Sequence, residues 1–199
     1  MSTTRDHILQ TAFKLFLSKS YKAVTMLDLE KATGLTKGAF YHYFKNKKEI
    51  YIEVVDKYFL ANHTPKDSNI LETGTLNDFI DLHVEHIKYL STRLKEITCQ
   101  DGFDPTSISL IIEAKEYYPG FTEKLKESNN KIFDNWERVI SRSKLKSEIQ
   151  QTIESDILAE NFIAIGHSIF RYMLSNRSLE YAISMVKLQY AQLYRLVKS

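Results

Sequence analysis

Four residues in one short stretch, Lys37, Gly38, Tyr41 and His42, have the types and spacing to do chemistry together. At about 100° per residue they fall on one arc of a helix, with Thr36, Ala39, Phe40, Tyr43 and Phe44 on the opposite arc. The first arc presents a cation, a position with no side chain, and two rings able to hydrogen-bond. The second presents anchors, above all Phe40 and Phe44, to press against neighbouring helices. Such an outward face suits a DNA groove. Lys37 can reach phosphate or a guanine edge, Gly38 lets backbones approach closely, and Tyr41 and His42 can donate to phosphate oxygens. Tyr41 can also lie against a thymine methyl. Taken singly, either ring could instead sit beside DNA without touching it.

Helix starts on either side extend this face. Thr25 opens one helix and Asn46-Lys47-Lys48 opens another, and the free N–H groups and positive dipole end at a helix start attract phosphate. Thr36 does the same for the helix between them. The elements that must hold these residues follow from caps and stripes. Ile8, Leu9, Ala12, Phe13, Phe16 and Leu17 predict an amphipathic helix over about 4–19. Thr25 with Asp28, and Asn46 with Glu49, have the spacing of reciprocal capping pairs, and Gly34 supplies a left-handed stop for the second helix. Ile50, Val54, Val55, Tyr58 and Phe59 stripe the fourth helix, predicted over 46–62.

This segment resembles the TetR family of bacterial transcriptional regulators, through Ala32-Thr33-Gly34-Leu35-Thr36-Lys37-Gly38-Ala39-Phe40-Tyr41-His42-Tyr43-Phe44-Lys45-Asn46-Lys47-Lys48-Glu49-Ile50. The likeness covers roughly residues 5–60. It implies a recognition helix at 36–43, with phosphate contacts from Thr25, Tyr41, His42 and Lys47. It also implies a C-terminal domain that dimerises and binds an inducer, whose arrival moves two reading heads apart. The DNA-binding set expected is therefore Thr25, Thr36, Lys37, Gly38, Tyr41, His42, Lys47 and Lys48. Pocket residues vary too much within such proteins to be carried over.

The rest of the chain reads as helix throughout. A polar connection over 63–69 precedes helices predicted over 75–98, from Pro105 to about Tyr118, 120–142, 148–174 and 179–197. The expected fold is all-α: a three-helix helix-turn-helix domain over 1–47, with the fourth helix as connector, then a larger ligand-binding and dimerisation domain over 48–199, about nine helices in all. Charge follows the same division. Residues 1–60 hold ten Lys/Arg against six Asp/Glu, and residues 61–199 hold seventeen against nineteen, so the positive excess lies at the front.

Enzyme chemistry finds no support: nucleophile-elbow, phosphate-loop, zinc-protease and dinucleotide-binding patterns are missing from the sequence, and its carboxylates are scattered. No cofactor or metal is expected. His83 and His86 are spaced for a shared metal but lack further ligands in the sequence, so a core or pocket-lining role is the better reading. Trp136 with Phe133, Phe103 and Tyr117 forms either ordinary core or an aromatic pocket, which with His83 and His86 makes the candidate ligand set. The apolar stripes of the last two helices, with Phe162, Ile165, Ile169 and Met173 on one and Val186, Tyr190 and Leu193 on the other, are the candidate dimer interface. The expected partners are double-stranded DNA carrying an inverted repeat, a second copy of the chain and a small-molecule effector. A helical partner-binding protein that no longer reads DNA is the alternative. One cysteine and the lack of any signal peptide or apolar run of membrane-spanning length in the sequence point to a cytoplasmic setting.

Overall fold

The computed structural model describes residues 3–61, 65, 67–98, 106–175 and 177–199. Among these the chain is all-α. Its helices are α1 (Thr4–Ser18), α2 (Met26–Thr33), α3 (Lys37–Tyr43), α4 (Lys47–Val55, continued by a π-helical turn, Asp56–Leu60), α5 (Ser68–Thr73), α6 (Leu76–Thr98), α7 (Thr106–Tyr117), α8 (Phe121–Leu145), α9 (Ser155–Leu174) and α10 (Leu179–Val197). No described helix is long and apolar enough to cross a membrane.

The chain divides into two compact units. The first comprises Met1–Asn62 with Asp104–Leu125, the second His63–Phe103 with Lys126–Ser199. In the first unit the helix starts are set by side chains. Thr3 and Asp6 cap α1 reciprocally, Thr25 and Asp28 do so for α2, and Thr36 and Asn46 accept the third amides of α3 and α4. Gly34 closes α2 at φ 68°, a conformation that strains any residue with a β-carbon. The buried stripe of α1, Ile8, Leu9, Ala12, Phe13, Phe16 and Leu17, forms the core with Leu29, Phe40, Phe44, Ile50, Tyr51 and Val54.

Helix α7 belongs to this first unit and packs on α1 and α4, although it lies far beyond residue 47 in sequence. The Tyr51 hydroxyl donates to the Leu110 carbonyl at 2.7 Å, joining α4 to α7. Burial, followed by the neighbouring Glu113, pushes the Tyr51 phenol up.

In the second unit α10 packs on α9 and α6, around Phe79, Trp136, Phe162, Val186 and Tyr190. Glu148 accepts from the Leu76 amide at the start of α6 (3.0 Å) and from the Tyr194 hydroxyl (3.0 Å). Burial and this carboxylate raise the Tyr194 phenol to about 12. Arg142 donates to the carbonyls of Ile70, Leu71 and Gly74, satisfying the end of α5.

Two elements differ from the sequence expectation. Helix α5 stands where only a connection was expected next to α6: Asp67 caps it, accepting the Ile70 amide at 3.1 Å, and six residues are too few to show a period. Helix α9 begins at Ser155 rather than near 148. Ile149 is buried in an isolated bridge with Lys198, with Gln150 N–H donating to the Val197 carbonyl at 2.9 Å, so that stretch is extended.

Candidate nucleic-acid interface

Helix α3 is seven residues long and needs outside help to hold its shape. Thr36 Oγ1 accepts the Ala39 amide at 3.4 Å, and Phe40 and Phe44, four residues apart, are fully buried. Lys37, Gly38, Tyr41 and His42 are all exposed, as the wheel required. The anchoring arc is narrower than expected. Thr36, Ala39 and Tyr43 are also exposed, because over two turns only residues four apart stay over the same core. Tyr43 therefore joins the outward face, as does Leu27 (55% exposed) on the first turn of α2. An apolar residue just after a cap, where it cannot join the core stripe, was the signal available for Leu27.

Gly38 carries the sharpest information. Apart from its chain neighbours and its own helix backbone, no described atom lies within 4 Å of where its β-carbon would stand, and no unusual φ requires glycine there. Glycine inside a helix costs about 0.5–1 kcal/mol relative to alanine. Nothing in the fold explains this residue.

The flanking helix starts are less free than the sequence implied. Thr25 is exposed, yet its hydroxyl donates to Asp28 at 2.7 Å and its amide to the same carboxylate at 2.9 Å. These two bonds hold Asp28 below the ordinary carboxylate range. At α4, Asn46 accepts the Glu49 amide and Glu49 accepts the Lys45 amide, both at 2.9 Å. The first turns of α2 and α4 thus carry a carboxylate each, and that of α3 carries none.

Lys47 requires a correction. Its ammonium turns inward, donating to the carbonyls of Tyr21 (2.6 Å) and Val24 (2.7 Å) and lying 4.2 Å from the Tyr21 ring centroid. Burial lowers its pKa. A lysine so engaged fixes the α1–α2 loop instead of reaching for phosphate, and exposed Lys48 is the cation left at this helix start. Arg5 has a similar supporting place, paired with Glu53 and 4.9 Å from the Phe44 ring centroid.

The candidate ligand residues are only partly gathered. In the second unit His83 and Trp136 lie together, ring centroids 5.0 Å apart, and Phe133 packs beside them. His86 is half-buried one turn from His83. Tyr117 is elsewhere, stacked on Tyr21 at 4.4 Å in the first unit, where the Tyr21 amide also donates to Glu113 at 3.0 Å. Phe103 and the Met173 side chain lie outside the described residues.

The proposed dimer stripe is mostly interior. Phe162, Ile169, Val186 and Tyr190 are buried in the core of their own chain, with Ile165 and Leu193 half-buried against it. The most apolar stripe of each helix is taken by the core first. The large outward apolar residues of α9 and α10 are instead Ile157, Phe170, Leu174, Tyr181, Leu188 and Leu196. Tyr190 and Phe162 join Trp136 and His83, an association that helical spacing could not reveal.

Comparison with known proteins places this geometry. Residues 8–54 match the family described as bacterial regulatory proteins, tetR family. Over 74 residues the chain is 30% identical to the HTH-type transcriptional repressor NemR of Escherichia coli, and, also over 74 residues, 34% identical to the HTH-type transcriptional repressor KstR2 of Mycolicibacterium smegmatis. Each match covers 37% of this chain, and the chain spans 37% and 36% of the length of these curated relatives. The fold agrees over nearly the whole length. A crystal structure of reduced E. coli NemR superposes with a TM-score of 0.64 at 16% identity, covering 99% of this chain and 98% of that one. The SmeT–triclosan complex gives 0.66 at 16%, covering 98% and 92%. Over residues 8–54 the chain thus carries the sequence pattern of bacterial regulatory proteins of the tetR family, and the fold of the chain is that of these solved structures.

Proposed function

We infer that this chain is a transcriptional regulator that reads an inverted-repeat operator as a homodimer and releases it when a small molecule enters the second unit. The observation that carries the reading is the outward face of α3: Lys37, Gly38, Tyr41 and His42 exposed over buried Phe40 and Phe44, with a glycine that no neighbour within the chain requires. In this role α3 lies in the major groove, Lys37 and Tyr41 meet base edges or phosphate, and His42, Tyr43 and Lys48 meet the backbone. Thr25 and Thr36 offer helix-start amides, with Lys47 as a support. The functional division is a DNA-reading domain at the front and a sensing, dimerising body behind it.

Two copies join through the outward apolar residues of α9 and α10, Leu188 and Leu196 among them, since two half-sites need two reading heads. Relatives named as repressors support a regulator over an enzyme, and a DNA partner implies work in the cytoplasm. The triclosan complex of SmeT shows the same fold with a small molecule bound, which supports a ligand-responsive body.

Selection of bound duplexes from a random pool tests the reading directly. Recovery of an inverted repeat is the expected result. Indifference to every duplex would leave the partner-binding alternative in its place.

A further inference from the structure

The core of the second unit contains an anomaly. His83 Nδ1, Trp136 Nε1 and Tyr190 Oη are buried without a hydrogen-bond partner among the described residues, and all three belong to one aromatic cluster. Ring centroids are 5.0 Å apart for His83 and Trp136, 5.8 Å for Trp136 and Tyr190, and 6.3 Å for His83 and Tyr190. Phe162 stacks on Trp136 at 4.7 Å and 2°, and Phe79 meets the indole edge-on at 4.6 Å. Buried polar groups are nearly always paired, so three orphans in one place call for a binding explanation.

Gly166 on α9 adds to this. A β-carbon there would stand 2.7 Å from Tyr190 Oη, so the absent side chain is what lets that hydroxyl meet this face of the helix, while His83 Nε2, at 3.8 Å, would be in ordinary contact. A cleft of about 310 Å³ lies between α8 and α9, the helices that carry Trp136 and Gly166. Its lining includes Phe133, one turn from Trp136 on α8, and Ile163, next to Phe162 on α9, with Asn129 and Glu160 contributing polar groups.

The chemistry of the orphans names the class of ligand. An indole N–H only donates, a phenol donates or accepts, and a neutral imidazole does one at each nitrogen. Burial, with His86 and His167 nearby, keeps His83 neutral. Among the described residues no Lys, Arg, Asp or Glu is buried, and Glu160 and His167 line the cleft instead of the aromatic cluster, so the cluster itself holds no charge to balance an ion.

We propose that Trp136, Tyr190 and His83 form the recognition end of the effector site and take an uncharged, flat, apolar molecule through a hydrogen-bond acceptor such as a carbonyl oxygen. This rests on the regulator reading above and specifies its ligand.

The chain has a single tryptophan, so one indole N–H resonance reports the site. Acetophenone, toluene and benzoate share a ring and differ in acceptor and charge. Acetophenone should move the indole proton downfield with saturation, and toluene and benzoate should not. Tyr190→Phe should weaken acetophenone at least fivefold while raising Tm, because it removes a hydroxyl that has no bond in the free protein. His83→Phe, which also keeps a ring in place, should weaken acetophenone likewise. An equal response to toluene, tighter binding of benzoate, a lowered Tm in Tyr190→Phe, or no response to acetophenone would overturn the proposal. Duplex binding by the same samples, read by anisotropy, separates the two claims: retained DNA binding without acetophenone binding defeats only this one.

Discussion

The two units place their polar chemistry on opposite sides of their apolar residues. In the first, Phe40 and Phe44 face in and Lys37, Tyr41 and His42 face out. In the second, Trp136, His83 and Tyr190 face in, and the outward sides of α9 and α10 set apolar residues such as Leu188 and Leu196 among charged and polar ones. A surface that must lie along a polyanion needs exposed donors on a rigid support, and a small-molecule site needs a dry interior with few polar groups. What differs is which stripe carries the donors.

Removing an anchor should break the outward face most severely. Phe40→Ala leaves a cavity beneath α3 and is expected to cost about 3–5 kcal/mol, abolishing duplex binding, with thermal melting and anisotropy as the measurements. Lys37→Ala leaves the fold alone and should weaken binding by about 1–3 kcal/mol while relaxing base preference. An equal loss on all sequences would reduce Lys37 to a phosphate contact.

The inward face should show itself through acid. Burial first, then His86 and His167, lowers the His83 pKa from its ordinary 6.5 to about 3. Between those values the unfolded chain holds a proton that the folded chain lacks, so stability is full above about 6.5 and falls as pH drops, by up to about 1.4 kcal/mol per unit. Denaturant titrations should show this slope in the native chain, and His83→Phe should flatten it between about 6.5 and 5, above the range where carboxylates such as Asp28 titrate.

The neighbouring lysines of α4 divide support from contact. Lys48→Ala should reduce the dependence of log affinity on log salt by about one. Lys47→Ala should instead lower Tm, since the Tyr21 and Val24 carbonyls lose their shared donor. The smallest effect is the most diagnostic: Gly38→Ala should stabilise the first unit by about 0.5–1 kcal/mol and weaken duplex binding. A glycine kept for folding would give the opposite sign on stability.

Much of the outward face of α3 was legible because its determinants are local. Caps at Thr25, Thr36 and Asn46, the stop at Gly34 and the pair Phe40 and Phe44 all act within a few residues, so spacing alone orients them. The body was legible as helices but not as surfaces. Tyr190 and Phe162 read as interface residues and prove to be core, and Tyr117 read as pocket lining and proves to pack on Tyr21.

The sequence by itself determined the helical class, the helix starts around the reading head and which side chains of α3 point outward, since those depend on caps and on a fixed angle per residue. Tertiary structure alone decided that Lys47 turns inward, that α7 joins the first unit and that His83, Trp136 and Tyr190 share one interior. Periodicity tells each helix which stripe is most apolar, but only long-range packing chooses what that stripe meets.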